Sequence, residues 1–340
     1  MIFIRADSNI EIASGHIMRC IAIAKYAKRI GVGVIFLIAD ENPVPMLKDA
    51  KMDYIVLHSD WRDLMTDSEC VVKILQSYID PVLLVDTYSI TKEYIEKLAP
   101  FCKTAYLGSK QEKLGALNVL INYSTDIDYK FYATNYNGTT KLLLGPSFAP
   151  LREEFQNVIR TTRRKVQRIL VTTGNTDAQN IVGDIIKVLD PLLKKRKIIL
   201  EVVVGRMFRA KEELIKISML NNNIHLNENV LNISLLMQEC DLAISANGTT
   251  VYELAAIGVP TISFAMVEEQ LRSAETLASL GVISYCGKSY KNQKYVCEEI
   301  LKKVTYYIDN IEDLILLSTK AKALIDGNGC QKIVDELLNN

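Results

Sequence analysis

Apolar and polar positions fall in alternating blocks along the chain. Residues 1–6 form a compact apolar run. Residues 15–30 follow, with Ile17, Cys20, Ile21, Ile23, Ala24, Tyr26 and Ala27 on one broad helical face. Short apolar runs at 34–38, 54–57, 82–85 and 119–121 read as strands, with helical stretches between several of them. Continuous apolar strands joined by helices predict a parallel sheet covered on both faces. The pattern weakens across 126–140, which is polar and aromatic, and resumes briefly at 141–144. A polar, basic stretch at 160–165 then reads as an interdomain linker. A second series follows, with strands expected at 168–172, 198–204, 224–226, 242–245 and 261–264. Helices are expected at 178–189, 210–217, 233–239, 249–257 and 271–279, and throughout the chain beyond 292. The fold class is therefore α/β, with two doubly wound domains spanning 1–160 and 161–340. A ligand would be expected in the cleft between them, at the carboxyl ends of the strands.

Composition narrows the function classes. The chain has 340 residues, enough for about two domains of ~150. Lys plus Arg is 40 and Asp plus Glu is 40, so no basic excess exists to track a nucleic-acid backbone. No apolar run approaches the ~18 residues of a membrane-spanning helix. The start, Met1-Ile-Phe-Ile-Arg5, lacks a basic region and cleavage site and does not read as a signal peptide. The 7 cysteines include no CxxC pair, which suits reduced thiols in a cytoplasmic protein. The 3 histidines are widely separated, which argues against a histidine-rich metal centre.

Chemistry-bearing residues gather where the expected strands end. After the first strand, Arg5-Ala-Asp7-Ser8 and Ser14-Gly15-His16 form a loop that runs into a helix. Helix-opening amides favour anions and disfavour imidazolium. His16 is thus a candidate general base for activating water, with Asp7 orienting the ring or the water. The alternative is a histidine that only caps the helix. Asp86 and Tyr88 follow the strand at 82–85. Tyr88 is placed to hydrogen-bond a sugar or assist proton transfer; otherwise the pair is a turn residue and an aromatic lid. In the second half, Thr172-Thr-Gly174-Asn175-Thr-Asp177 has the form of a backbone phosphate cradle without the P-loop lysine or the G-x-G-x-x-G spacing. Asn247-Gly248-Thr249-Thr250 offers amides and hydroxyls to a diphosphate at a helix start, and Glu253, one turn on, could accept ribose hydroxyls. Glu268-Glu269-Gln270 lies at another strand end and could face the sugar. Capping motifs and a solvated helix start are the plainer readings of these segments.

The ordered set of motifs resembles a known family. Arg5-Ala-Asp7-Ser8, Gly15-His16-Ile17-Met18-Arg19-Cys20, Asp86-Thr87-Tyr88 and Gly145-x4-Pro150-Leu151-Arg152-x-Glu154-Phe155 occur in that order. They are followed by Thr173-Gly174-x2-Asp177-x2-Asn180, by Ser245-Ala-Asn247-Gly248-Thr249-Thr250-x2-Glu253 and by Gln270. Over about residues 1–285 the chain is similar to the UDP-sugar hydrolase of the pseudaminic acid pathway and its spore-coat-polysaccharide relatives. The resemblance implies a glycosyltransferase-B-like fold of two Rossmann-like domains. It implies metal- and cofactor-independent hydrolysis of UDP-2,4-diacetamido-2,4,6-trideoxy-β-L-altropyranose to UDP and free sugar. By the same resemblance His16 activates water for attack at the anomeric carbon with inversion, and Tyr88 lies near the sugar. The substrate contacts would come from Arg5, Gly15, Arg152, Glu269 and Gln270. UDP would be held at Gly174, Asn175, Asn247, Gly248, Thr249, Thr250 and Glu253. Three departures stand out: Glu269 where the family commonly has Asn, Gly108-Ser109 where it often has an Asp pair, and one Gly fewer at the Gly174 turn. The competing expectations are a glycosyltransferase of the same fold using a UDP-sugar donor, an inactive nucleotide-sugar-binding relative, and a hydrolysing 2-epimerase. For the last, three histidines leave little room.

Overall fold

The computed structural model describes residues 1–12, 14–136, 138, 140–205 and 207–339. It divides into two compact units, one of Met1–Glu153 with Asn328–Asn340 and one of Glu154–Gly327.

The first unit runs β1 (Ile2–Ala6), α1 (Gly15–Arg29), β2 (Val34–Ile38), α2 (Val44–Asp49), β3 (Asp53–Val56), α3 (Ser68–Leu75), β4 (Val82–Asp86), α4 (Lys92–Leu98), β5 (Lys103–Leu107), β6 (Val119–Asn122), α5 (Tyr129–Asn135) and β7 (Lys141–Leu144). Its seven strands lie in the order β3-β2-β1-β4-β5-β6-β7 and every pairing is parallel. Strand order reverses direction between β1 and β4, which makes the gap at their carboxyl ends the ligand position of a doubly wound sheet. Alternation along the strands sorts the core. Ile2, Ile4 and Ala6 of β1, with Val82 and Leu84 of β4, pack with Ile17, Cys20 and Ala24 of α1. Phe3, Leu83 and Val85 face the other side, against Val71 of α3 and Tyr94 and Leu98 of α4.

The second unit runs β8 (Arg168–Thr172), α6 (Ile181–Arg196), β9 (Ile199–Val204), α7 (Lys211–Met219), β10 (Ile224–Glu228), α8 (Ile233–Glu239), β11 (Leu242–Ala246), α9 (Thr249–Ile257), β12 (Thr261–Ala265), α10 (Leu271–Ser279), β13 (Ser284–Lys288), α11 (Gln293–Asp309) and α12 (Ile311–Leu324). Its sheet order, β10-β9-β8-β11-β12-β13, is again all parallel. The reversal point here lies between β8 and β11.

Two expectations about organisation change. The basic stretch at 160–165 is not the interdomain linker, since the division between the units falls at 153/154. It lies inside the second unit, tied there by Arg160, which donates to the carbonyls of Gln238, Cys240 and Gly258, while Thr161 and residues 163–165 are exposed. The last helix, α13 (Gly329–Leu338), belongs to the first unit and not to a 161–340 domain. Its stripe of Cys330, Ile333, Val334 and Leu337 is fully buried in the core that α1 shares with the first sheet. Among the described residues no helix is long and apolar enough to cross a membrane.

Candidate active site

In the first unit the chemistry gathers at the reversal point. The His16 ring is 4% exposed, on the first turn of α1. Its Nδ1 lies 2.5 Å from Oδ1 of Asp86, the last residue of β4. Asp86 is fully buried and is clasped by Arg19 through both oxygens, Nε donating to Oδ2 at 2.6 Å and Nη2 to Oδ1. The Cys20 thiol also donates to Oδ2, at 3.3 Å. Burial alone would push the Asp86 carboxyl up, but the Arg19 guanidinium and the hydrogen bonds from Arg19 and His16 hold it below the usual carboxylate range. Asp86 is therefore an anion. A carboxylate only accepts, so this contact favours a proton on Nδ1, while Arg19 Nη2, a donor 3.1 Å from the same nitrogen, favours the other tautomer. Tyr88, 71% exposed, sets its ring edge-on to the imidazole, with centroids 4.6 Å apart at 90°.

Asp7 is not the partner of the ring. Residues of one strand parity share a face, and Asp7 continues the parity of Arg5, away from α1. Its carboxylate pairs with Arg5 and accepts from the Ala39 amide at 2.7 Å. Arg5 itself has no exposed surface, so it does not reach a ligand in this structure. Its Nε donates to Asp67 at 3.1 Å, and Asp67 also accepts from Ser59 and Tyr94. Arg5 and Asp7 are thus the buried tie that fixes the loops beside the site. By the same parity, Asp86 and not Val85 faces α1. That signal was present in the apolar alternation of β4, as was the i, i+3 spacing that puts His16 and Arg19 on one face of α1. Gly15 opens the helix with nothing within 4 Å of where a Cβ would stand. Arg152 is exposed.

The second unit has two helix starts beside its reversal point, and they differ. At α6 the first amides are taken: Asp177 accepts from Ile181 at 2.9 Å and from Val182 at 3.0 Å. A carboxylate already sits there, and an arriving phosphate would meet its charge. The Gly174 amide is bonded to the Thr172 hydroxyl at 3.2 Å, and Asn175 is exposed. The start of α9 is open. Gly248 caps it without a side-chain bond, no acidic residue occupies its first turn, and a Cβ on Gly248 would meet nothing within 4 Å. Thr249 is exposed, while Thr250 and Glu253 are half-buried on the turns that follow. Asn247 is buried and its side chain is spent inward, Nδ2 donating to the Gln270 carbonyl at 3.2 Å and Oδ1 accepting from Ser263 at 3.4 Å. Gln270 folds back on its own loop, accepting from the Met266 amide at 2.8 Å. Both residues therefore build the loop after β12, on which Glu269 stands exposed. Among the described residues no three His, Cys, Asp or Glu side chains gather so as to hold a metal ion.

Residues 168–324 match the glycosyltransferase family 28 C-terminal domain. Among solved structures, the UDP-GlcNAc 2-epimerase of Neisseria meningitidis has a TM-score of 0.66 at 13% identity, covering 100% of both chains. MurG of Acinetobacter baumannii has 0.64 at 16% identity, covering 99% of this chain and 98% of that one. The fold is thus α/β, two Rossmann-like domains of the glycosyltransferase-B type. Among curated proteins the chain is 24% identical to the uncharacterized protein MJ1062 of Methanocaldococcus jannaschii, over 77% of this chain and 54% of that protein, so it spans about half of that relative's length. It is 23% identical to the spore coat polysaccharide biosynthesis protein SpsG of Bacillus subtilis, over 96% of this chain and 95% of that one. It is 24% identical to the UDP-2,4-diacetamido-2,4,6-trideoxy-beta-L-altropyranose hydrolase of Campylobacter jejuni, over 82% and 97%. Direct comparison thus finds the same relatives as the motif resemblance.

Proposed function

We propose that the protein is a nucleotide-sugar hydrolase that cleaves a UDP-linked diacetamido-trideoxyhexose to UDP and the free sugar. The observation that carries this reading is the His16–Asp86 pair, an imidazole held by an anion with Nε2 left without a hydrogen-bond partner among the described residues. In the proposed step Nε2 takes a proton from water as the water oxygen bonds to the anomeric carbon. The bond from that carbon to the UDP oxygen breaks, its electron pair leaves with UDP, and the sugar inverts. The diphosphate is assigned to the start of α9, where Thr249 and Thr250 present amides and the positive end of the helix dipole stabilises the leaving charge, the Gly248 amide being taken by the Ala246 carbonyl at 2.9 Å. Tyr88, edge-on to the base and exposed, is assigned to the sugar, and Glu253 to the ribose. Glu269 puts a carboxylate on the loop built by Asn247 and Gln270, and is proposed to select among amino sugars.

A glycosyltransferase reading is favoured by the family 28 match at 168–324, since a donor site serves either acceptor. The two separate in one assay. Incubation with UDP-linked diacetamido sugars and no acceptor, followed by NMR of the product, is expected to release UDP and the inverted anomer. UDP release only on adding a glycan or lipid acceptor would establish the transferase instead.

A further inference from the structure

We propose that Arg19 is a positioning residue for the His16 base: its guanidinium holds the Asp86 carboxylate in the one orientation that fixes His16 as the Nδ1–H tautomer. The functional consequence rests on the hydrolase reading; the tautomer itself does not. Two observations carry it, and a third contact sets the competition it must win. Arg19 takes both oxygens of Asp86, through Nε and Nη2, which removes the carboxylate's freedom to rotate. Its remaining arm, Nη1, donates to the Tyr123 hydroxyl at 3.0 Å just beyond β6, which anchors the fork from a third element. Nη2 also lies 3.1 Å from His16 Nδ1. Nη2 has only protons to offer, so it competes for that nitrogen and opposes the Nδ1–H tautomer; the 2.5 Å contact from Nδ1 to Oδ1 of Asp86 is the shorter of the two and outweighs it. The proton on Nδ1 goes to Oδ1 of Asp86, and Nε2 is the base.

The test uses the full chain labelled with ¹⁵N-histidine, the His16 signals being assigned by their loss in His16→Gln. Wild type is expected to show the Nδ1–H tautomer, and Arg19→Met a mixture of tautomers. With a UDP-diacetamido sugar, Arg19→Met is expected to lose about 10²-fold in kcat, the low end of general-base help, with KM nearly unchanged. Arg19→Lys recovers part of the loss, because an ammonium keeps the charge but cannot span both oxygens. If Arg19→Met fails to fold around an unpaired buried Asp86, the Arg19→Met/Asp86→Asn pair removes both charges and supplies the comparison. Added to Asp86→Asn, the arginine change should then cost little more in kcat. An unaltered Nδ1–H signal in Arg19→Met, or losses that multiply in the double variant with a raised KM, would overturn the proposal and make Arg19 a substrate contact or a structural tie. A wild type that shows the tautomer but releases no UDP would instead overturn the hydrolase reading alone.

Discussion

Two buried carboxylates near β1 carry different work because their neighbours differ. Asp86 is an anion under Arg19, placed below the usual carboxylate range against the opposing effect of burial. Asp67, with Arg5 beside it, is raised, because burial outweighs the pull of that guanidinium. A depressed carboxyl stabilises the fold above its unfolded value of about 3.9 and loses that contribution as pH falls through the lower folded value. The stability difference between wild type and Asp86→Asn, measured by urea unfolding, should therefore shrink as pH drops below about 4. A difference that grew toward acid would contradict the ion-pair assignment. Arg5, by contrast, is structural in this reading. Arg5→Ala leaves Asp7 and Asp67 buried without their cation and should cost about 3–5 kcal/mol of stability. Were Arg5 a substrate contact, the same change would raise KM and leave the unfolding midpoint in place.

At the scale of single elements, the proposed diphosphate position rests on the contrast between the start of α9, with no acidic residue in its first turn, and the start of α6, where Asp177 accepts from the first amides. Gly248→Ala adds a methyl group where the fold has nothing within 4 Å, so stability should move by no more than ~0.5 kcal/mol. UDP affinity, read by calorimetry, should fall, because the methyl takes up open space at the proposed diphosphate position. Equal affinity in the variant would move the diphosphate elsewhere. Helix and strand placement was largely legible in the chain: 233–239, 249–257 and 271–279 are helices at the expected bounds. The strand Ser284–Lys288 was not, because Ser284, Gly287 and Lys288 dilute its apolar signal and it forms at the edge of the sheet. His16 and the Asn247–Thr250 loop were legible as strand-end chemistry. The link from His16 to Asp86 was hidden by 70 residues of separation, and Asp7 was the nearer carboxylate in sequence. Reading strand parity through the β1 and β4 cores separates the two.

For the whole molecule, the chain's return at α13 is the feature that local pattern could not place. An amphipathic helix declares a buried face but not which sheet buries it. Here Ile333 is fully buried against the α1-side core of the first unit. Ile333→Ala should cost about 2–5 kcal/mol and act on that unit. Hydrogen exchange should lose protection in β1 and α1 while β8 and α6 keep theirs, and the reverse pattern would refute the assignment. The second unit's match to the family 28 C-terminal domain and the His16–Asp86 pair of the first are then tested in a single experiment. UDP-diacetamido sugar turnover without acceptor is compared between wild type and His16→Ala, with UDP binding measured in both. Turnover should fall about 10²–10⁴-fold while UDP binds as before. Equal turnover in the two proteins would show that water is activated by some other group.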